Sequence, residues 1–361
     1  MKNLNKTIVM VICALAMLCT KLNAQNLVAL QSGNTSTFYT TIDDAITAAN
    51  NGDFIYVPGG VWAINNQIHK GVNIVGVGYN GDSTTATGTT KITGNGFYGI
   101  IRISSGSDNG SFTGVQFLHS VMLGGDESVG TTAVNNYSFS RCRFSGGNSG
   151  WCDNNVCLFM GWCGSAASTN SFLSENIFEG VVKGYGISGV TFVKNIFTNY
   201  IDQFNASTFN NNIFMVSAQW KFFNTNTSAF NNNIVIDNNG YPNFMNPSCS
   251  GNVITNTIYS MPNNQGVYNN TEVGGIYSAN PIFVNFTGFS YDIHADYHLA
   301  PASPGINYGT DGTDVGLYGT AVPFKAGGVP FNPHIQMQSI GTSTDSQGHL
   351  PVNIHVAAQG N

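Results

Sequence analysis

Short apolar runs, each interrupted by Gly, Asn or Ser, follow one another through the middle of the chain. They lack the spacing of three and four residues that an amphipathic helix needs, and they have the length and residue types of strands. A hexapeptide with Asn at its fourth position recurs as Leu173–Phe178, Phe192–Phe197, Phe209–Phe214, Phe230–Val235 and Cys249–Ile254. Its Asn positions are 19, 17, 21 and 19 residues apart. The spacing predicts a repeat protein.

A unit of about 19 residues is too short for two packed helices and fits one coil of short strands. Stacked coils would pair each strand with its equivalent one turn further, ~4.8 Å away, and bury the Phe, Ile and Val columns as one core. Two looser copies, 112–117 and 139–144, place Val115 and Cys142 at the Asn position. We therefore expect an all-β, single-stranded, right-handed parallel β-helix of at least seven coils.

The Asn column predicts a ladder of buried amides at a tight corner, with Asn in left-handed conformation and hydrogen-bonded from coil to coil. The alternative is a row of amides that bind a ligand, but the flanking Phe and Ile favour an interior position. In this register Cys142 occupies the Asn column and Cys249 an apolar column. Both are expected to be buried, inert thiols.

Composition narrows the class of protein. Of the 361 residues, 8% are charged and 43 are Gly, which excludes an all-helical protein, and the 42% hydrophobic content makes disorder over most of the chain improbable. There are 12 Lys and Arg against 18 acids, and three of the lysines (Lys2, Lys6, Lys21) precede residue 25, so the remainder carries 9 − 18 = −9. An acidic chain without a basic run argues against nucleic acid or an anionic membrane as partner.

The first 24 residues resemble a secretory signal peptide. Lys2 and Lys6 precede an apolar run over 8–18, and Leu22–Ala24 supplies small residues before Gln25. Cys19 leaves lipidation open, although Leu18 stands where a small residue is usual. We predict cleavage before Gln25, a β-helix over 25–322 and a C-terminal hairpin tail over 323–361. The mature protein is expected to be secreted or at the cell surface, without membrane insertion.

Both ends of the repeat region resemble the pectate-lyase-like superfamily, specifically exported bacterial β-helix proteins. At the N-terminus, Thr41–Gly60 reads as a short amphipathic helix, a turn and a first strand, within a cap over about 37–60, and Val72–Gly78 resembles the second coil. The segments that resemble closing coils are Asn280–Val284, Tyr297–Leu299, Ser303–Asn307 and Asp311–Gly319. The resemblance covers about residues 37 to 320.

The resemblance implies a fold more strongly than an activity, because the superfamily holds lyases, hydrolases, epimerases and adhesins. The motifs of the hydrolase branch, Asn-Thr-Asp, Gly-His-Gly and Arg-Ile-Lys, do not occur here. The pectate lyase branch implies a calcium-binding acid cluster opposite an Arg, and the coils contain only single acids. No family site can therefore be transferred to this sequence.

One charged column offers candidate catalytic residues. Arg141, Glu175 and Lys194 each precede the Asn position, and strand alternation predicts that they face outward, beside a Cys- and Trp-rich insertion over about 146–170. Lyase chemistry on a uronic acid needs a cation and a base, which Arg141 or Arg143 with Lys194 would supply. The alternative is an ion-pair stack on the surface.

Aromatic residues predict where a polysaccharide would bind. Trp151 and Trp162 flank the cysteines of the insertion, and Tyr200 and Trp220 lie in later connections, with Tyr185 nearby. Exposed rings stack on sugars, whereas the alternative is that these rings pack over the sheet. We expect Cys152, Cys157 and Cys163 to form a disulfide-stapled loop, since their spacing fits zinc poorly.

The C-terminal third adds little chemistry. Asp311 and Asp314 suggest calcium, but further oxygen ligands at regular spacing are missing, so we expect a turn and no cofactor. His334–Ile340 and Leu350–Ala358 predict a hairpin that covers the open end of the last coil or docks to a partner. The sequence as a whole predicts an exported β-helix that binds a polysaccharide, either as a lyase or, alternatively, as a non-catalytic surface or adhesive scaffold.

Overall fold

The structure is a computed structural model that describes residues 27–361 except 95–98, 125–132, 147–154, 162–167, 238–242, 263–267, 332, 342 and 359–361. The predicted signal peptide over 1–24 lies outside the described residues, as do Trp151, Cys152, Trp162 and Cys163.

Three long sheets, here called A, B and C, form the faces of a parallel β-helix. Sheet A contains Thr35–Tyr39, Val28–Ser32, Phe54–Tyr56, Asn73–Val75, Ser111–Thr113, Ser138–Ser140, Phe172–Ser174, Thr191–Val193, Thr208–Asn210, Ala229–Asn231, Ser250–Thr255 and Asn269–Val273. Sheet B contains Ile101–Ile103, Val121–Leu123, Val156–Met160, Val181–Ser188, Ile201–Asn205, Trp220–Phe223 and Asn243–Met245. Sheet C contains Gly60–Ile64, Thr90–Gly94, Gln116–Phe117, Arg143–Phe144, Ile177–Phe178, Ile196–Phe197, Ile213–Met215, Ile234–Ile236 and Ile258–Tyr259.

Each coil visits sheet A, then C, then B, and the predicted repeat is confirmed over most of its length. In sheet A, Phe112, Phe139, Leu173, Phe192, Phe209 and Phe230 pair in register from coil to coil, and all are fully buried. Neighbouring rings stack at close range, with centroids 4.6 Å apart for Phe192 and Phe209. The column acts as one continuous core.

The Asn ladder is also confirmed for four coils. Asn176, Asn195, Asn212 and Asn233 have no exposed surface. The Asn212 Oδ1 accepts hydrogen bonds from Asn195 N (2.8 Å) and Asn195 Nδ2 (3.1 Å), and Cys142 N continues the ladder onto Asn176 at 2.9 Å. The left-handed residues are those before the ladder, such as Lys194 (φ 56°) and Asn211 (φ 56°). The amides therefore do not themselves form the left-handed turn.

The assignment of Asn252 to this ladder is wrong. Phe230 pairs with Ile254, five residues beyond Cys249, so Asn252 lies opposite Ser228 and accepts a hydrogen bond from its N–H at 2.9 Å. Asn252 N in turn donates to Asn270 Oδ1 at 3.0 Å, which forms a second ladder at another corner. The coil from Phe230 to Ile254 is longer than the three coils before it, and the hexapeptide pattern alone could not detect the extra residues.

A short helix, α1 (Ile42–Ala48), covers the N-terminal end of the core. Thr41 caps it by accepting a hydrogen bond from Asp44 N at 3.1 Å, as Ser and Thr commonly do at helix starts. Its buried side chains are Ile42, Ala45 and Ile46. The predicted capping helix is present. Val28–Ser32 pairs antiparallel with Thr35–Tyr39 before the helix and with Phe54–Tyr56 after it, and these strands close sheet A at this end.

The segment 280–319 does not form the closing coils that the family resemblance implies. In the described residues the last parallel strand is Asn269–Val273, and Phe283–Asn285 instead pairs antiparallel with Asp296–Leu299. This part of the chain packs on the outer face of sheet C, where Phe283, Tyr297 and Leu317 bury the outward column that contains Ile196 and Ile213. Sheet C therefore has an apolar core on both faces.

Residues 305–331, here called the C-terminal strap, then run back along the corner between sheets A and C, toward the N-terminal coils. The strap contacts Asn256 through Tyr308 O and reaches Tyr79, whose N–H donates to Gly327 O at 3.3 Å. Gly328 has φ 69° and lies so close to Tyr79 that a Cβ would be 2.2 Å from its ring. Only glycine fits this contact.

The C-terminal hairpin, His334–Ile340 with Val352–Ala357, is present, but the prediction that it covers the last coil is wrong. Gln338 Nε2 donates to Ala86 O at 3.0 Å, and Ile335 lines a cleft with Tyr56 and Val57. The hairpin therefore lies beside the first coils. The strap precedes the hairpin in the chain and runs back along the β-helix, so the hairpin lies at the first coils. The sequence of the strap does not indicate this path.

Candidate functional site

The charged column is buried, which corrects the prediction that Arg141, Glu175 and Lys194 face outward. Their exposed fractions are 0%, 7% and 6%. Each has φ between 54° and 58°, in the left-handed region. Strand alternation does not apply at a corner, and the C-terminal strap covers this one. Neither the outward catalytic column nor a surface ion-pair stack is present here.

Each of the three side chains binds the main chain of the strap. Arg141 Nη1 donates to Val329 O at 2.8 Å, and Lys194 Nζ donates to Val322 O. Glu175 Oε2 accepts from Lys325 N at 2.8 Å and from Arg141 Nε at 3.2 Å. We call these three residues the strap clamp. Because charge-assisted hydrogen bonds are among the strongest in proteins, the clamp holds the strap on three successive coils.

The electrostatics of the clamp also argue for a structural role. Burial lowers the pKa of Arg141 and of Lys194, and the Glu175 carboxylate partly offsets this effect in both. The Arg141 guanidinium also stacks on Phe331, 3.5 Å from the ring centroid. Every group is committed to a partner within the protein, so a substrate would have to displace the strap before it could reach them.

Arg143 lies apart from the clamp, on the outer side of sheet C. It forms an ion pair with Glu179 at 2.8 Å, and its guanidinium lies 5.7 Å from the centroid of the Tyr291 ring. Its side chain is 24% exposed. The structure therefore does not bring Arg143 together with Lys194 into one catalytic arrangement.

The outer face of sheet B gathers two of the predicted binding residues. Tyr200 and Trp220 both contact Phe223, with ring centroids 4.9 Å and 5.5 Å apart, and all three rings are partly exposed. Tyr185 lies on the same face, stacked on the buried ring of Phe159 at 6.5 Å. We call these five residues the aromatic face. Successive coils contribute them, so their spacing along the axis follows the ~4.8 Å strand repeat.

An ion pair lies among these rings. Lys183 Nζ is 3.4 Å from Asp202 Oδ2, and the two side chains are 13% and 10% exposed. The ammonium also lies 5.2 Å from the centroid of the Tyr185 ring, within reach of a cation–π interaction. Asn224 Nδ2 donates to the other oxygen of Asp202 at 2.9 Å. The charges are paired and largely covered, and their one cation–π contact among the described residues is between Lys183 and Tyr185.

Sequence reasoning missed Lys183, Asp202 and Phe223, although a signal existed. Lys183 and Asp202 are 19 residues apart, as are Asn176 and Asn195, and the paired strands place them opposite each other. Extending the repeat register into sheet B would have brought them together. The Asn hexapeptide covers only sheets A and C, which is why the third strand of each coil received no register.

The insertion carries the other two predicted binding residues, Trp151 and Trp162, which lie outside the described residues. Between the two, Val156–Met160 forms a strand of sheet B. Met122 and Phe159 on the outer side of this sheet are only 2% and 1% exposed. They form a small apolar cluster with Ile100, Val156 and Val181, next to Tyr185 and Tyr200.

The cysteine predictions separate into two outcomes. Cys142 and Cys249 are buried free thiols, as predicted. Cys157 is also a buried free thiol, and its Sγ lies 3.5 Å from Val181 O, so its expected role in a disulfide-stapled loop is wrong. Burial raises the pKa of both Cys142 and Cys157 to about 12. These thiols are held in their unreactive protonated form.

Asp311 and Asp314 use their carboxylates within a turn. Asp311 Oδ1 accepts from Thr313 N (3.1 Å) and Oγ1 (2.7 Å), and these hydrogen bonds lower the Asp311 pKa. Asp314 Oδ1 accepts from Asn307 N at 2.9 Å. Among the described residues, no three His, Cys, Asp or Glu side chains are grouped to hold a metal ion, and no helix is long and apolar enough to cross a membrane.

Comparison with known proteins gives little further information. No family model matches the sequence, and no curated protein matches it. Among solved structures, the chain is similar to the crystal structure of PfbA, a surface adhesin of Streptococcus pneumoniae. The two share 12% identity with a TM-score of 0.37, over 60% of this chain and 80% of that chain. A likeness this distant supports no conclusion about function.

Proposed function

We propose that this exported β-helix protein binds a polysaccharide along the aromatic face of sheet B and does so without catalysis. The observation that carries the proposal is the grouping of Tyr185, Tyr200, Trp220 and Phe223 on one side of successive coils, all partly exposed. Rings repeated along a rigid axis give an extended sugar chain several stacking positions. Export rests on the signal peptide predicted over 1–24.

Binding is favoured over a lyase reaction because the charged groups are already paired. Lys183 is bound to Asp202. The residues of the strap clamp, Arg141, Glu175 and Lys194, are bound to the strap or to each other. A general base has to reach the proton that it removes, and a cation has to meet the substrate carboxylate. Each of these groups would first lose its present partner, at the cost of leaving a buried charge unpaired.

The test is the double variant Tyr200→Ala with Trp220→Ala. Affinity electrophoresis against neutral and uronic polysaccharides should first identify a ligand for the parent protein. The double variant should then bind that ligand at least tenfold more weakly, about 1.4 kcal/mol, because each lost ring removes a stacking surface. Phe38→Ala is the matched control, since Phe38 is 62% exposed but lies in sheet A.

The proposal is wrong if the parent binds no polysaccharide, or if the double variant binds as tightly as the parent while remaining folded. Incubation of the parent with uronic polysaccharides, followed by ultraviolet absorbance for a new carbon–carbon double bond, tests the lyase alternative directly. A rise in absorbance with enzyme-like turnover would replace the binding function by catalysis.

The outer face of sheet A supports a second candidate, an adhesive scaffold for a protein partner. Its side chains are mainly Ser, Thr and Asn, and Phe172 and Val253 are 45% and 48% exposed. Polar side chains bridge neighbouring coils, as between Asn231 Nδ2 and Asn210 Oδ1 at 2.9 Å. Substitution of Phe172 and Val253 by Ser should abolish cell or protein adhesion, measured on immobilised cells, while polysaccharide binding through sheet B stays unchanged.

A further inference from the structure

A cleft of about 350 Å³ lies at the corner between sheets B and C, between Asp237 and Ser260 on one side and residues 278–289 on the other. We propose that this C-terminal cleft binds one uncharged sugar residue, either a free neutral monosaccharide or the neutral end of a glycan. The site is separate from the aromatic face, so it extends the proposed function without depending on it.

The size and position of the cleft fit a small ligand. Pockets for small molecules usually start at about 300 Å³ and combine apolar walls with a few polar groups. One residue on each side is held in place. Asp237 N donates to Ser260 Oγ at 2.8 Å on one side, and Phe283 is buried in the apolar cover of sheet C on the other. This part of the cleft therefore exists before any ligand arrives, which lowers the entropy lost on binding.

The apolar part of the cleft includes the rings of Phe286 and Phe289. Phe286 is fixed by Phe283 and Tyr297, with centroids 5.8 Å and 4.8 Å away. Phe289 is 48% exposed and makes no ring contact with any other described residue. An aromatic ring left open to solvent beside a fixed ring is a stacking surface for the apolar side of a sugar.

Neutral hydrogen-bonding groups surround these rings. Asn280 Oδ1 accepts from Ile282 N at 3.2 Å, which fixes its amide. Within the described part of the chain, its Nδ2 and the hydroxyl groups of Ser278 and Thr287 have no hydrogen-bond partner. A sugar hydroxyl donates and accepts hydrogen bonds equally well, so hydroxyl and amide groups are its natural partners.

Charge decides which sugar fits. Asp237 supplies the one carboxylate that lines the cleft among the described residues, and its side chain is only 1% exposed. Lys221 Nζ binds it at 2.8 Å and also donates to Ala218 O at 2.9 Å. The pair leaves the cleft without an unbalanced charge. A uronate or phosphate would have to be desolvated there without a compensating cation, which is costly.

The test is calorimetric titration of the full-length mature protein with glucose, galactose, mannose, N-acetylglucosamine, glucuronate and galacturonate, followed by neutral oligosaccharides. At least one neutral sugar should bind saturably, and the uronate of matching stereochemistry should bind at least tenfold more weakly. Phe289→Ala should reduce the affinity for the neutral sugar at least tenfold. Phe38→Ala, a change of the same size at a ring that is 62% exposed on sheet A, should not alter it.

Tighter binding of an oligosaccharide than of its monosaccharide would identify a glycan end as the ligand, and equal binding would identify a free sugar. The inference is overturned if no neutral sugar binds, if the uronate binds as tightly, or if Phe289→Ala binds as the parent does. The variant Tyr200→Ala with Trp220→Ala should retain cleft binding. This distinguishes failure of the cleft from failure of the aromatic face.

Discussion

The strap clamp and the ion pair on sheet B consist of the same kinds of residues contributed by successive coils, but the clamp lies at a corner and the ion pair lies within strands. Arg141, Glu175 and Lys194 lie under the C-terminal strap and bind its main chain. Lys183 and Asp202 pair with each other on sheet B, and the Lys183 ammonium lies 5.2 Å from the centroid of the Tyr185 ring. The strap clamp joins segments that are far apart in sequence. The Lys183–Asp202 pair joins neighbouring coils beside the aromatic face.

The role of a column of charges on a β-helix therefore depends on what covers it. A corner covered by main chain can satisfy charged side chains with backbone groups, and these residues then serve stability. On sheet B, aromatic rings lie beside the paired charges and stay partly exposed. Partly exposed rings can bind a ligand. Four experiments test this distinction and the fold on which it depends.

Replacing a member of the strap clamp should have the largest effect. Arg141→Ala removes one partner of a buried ion pair and leaves Glu175 without its guanidinium, so we expect a loss of about 3 to 5 kcal/mol in the free energy of unfolding. Arg143→Ala, which breaks a pair that is 24% and 27% exposed, should cost no more than about 1 kcal/mol. Guanidinium denaturation of both variants makes the comparison.

Equal destabilisation by the two arginine variants would show that the strap is not held by the clamp. Limited proteolysis adds an independent measurement, because release of the strap should expose cleavage sites within 305–331 in Arg141→Ala and not in Arg143→Ala. An intact strap in both variants would remove the contrast between the two charged sets.

The Asn ladder gives the next largest effect. Asn212→Leu leaves Asn195 N and Asn195 Nδ2 without their acceptor, and should lower the free energy of unfolding by about 1 to 3 kcal/mol. Asn210→Leu, two positions earlier on the partly exposed outer side of sheet A, should change it by about 0.5 kcal/mol or less. Matching denaturation midpoints for the two variants would contradict a special role for the buried amide.

The insertion provides a binding measurement. Trp151→Ala with Trp162→Ala should weaken polysaccharide binding at least tenfold, about 1.4 kcal/mol, if the insertion adds a wall beside sheet B. The free energy of unfolding should change by less than this. Unchanged binding would restrict recognition to the aromatic face, and comparison with the Tyr200→Ala and Trp220→Ala variant then locates the sugar chain.

Thiol reactivity gives the smallest effect, a change in labelling without a change in stability. Burial raises the pKa of Cys142 and Cys157 to about 12, so at pH 8 both should resist iodoacetamide in the native protein and react after unfolding. Peptide mass spectrometry reads each site separately. Rapid native labelling of Cys157, or its recovery in a disulfide, would restore the stapled insertion that the structure contradicts.

Much of the architecture followed from local patterns. The Phe column and the Asn ladder could be predicted because each coil repeats nearly the same residues, and stacking equivalent strands is the only way to bury every copy at once. The capping helix followed from Thr41 and the apolar residues of 42–46, and the hairpin from two strand-like runs with a turn between them. The Asn252 register failed where one coil gained extra residues, because the hexapeptide carries no information about coil length.

The parallel coils, their core columns and the acidic, Asn-rich and aromatic character of the chain depend on repetition and residue type, so they can be predicted from the sequence. Which faces of the coils are covered depends on the folded path of the chain. The strap reaches Arg141 from 188 residues away, and the segment 280–319 covers sheet C instead of adding coils. Contacts between segments so far apart depend on the whole path of the chain. For this reason the sequence pattern suggested Arg141 and Lys194 as catalytic residues, whereas in the folded protein they bind the strap.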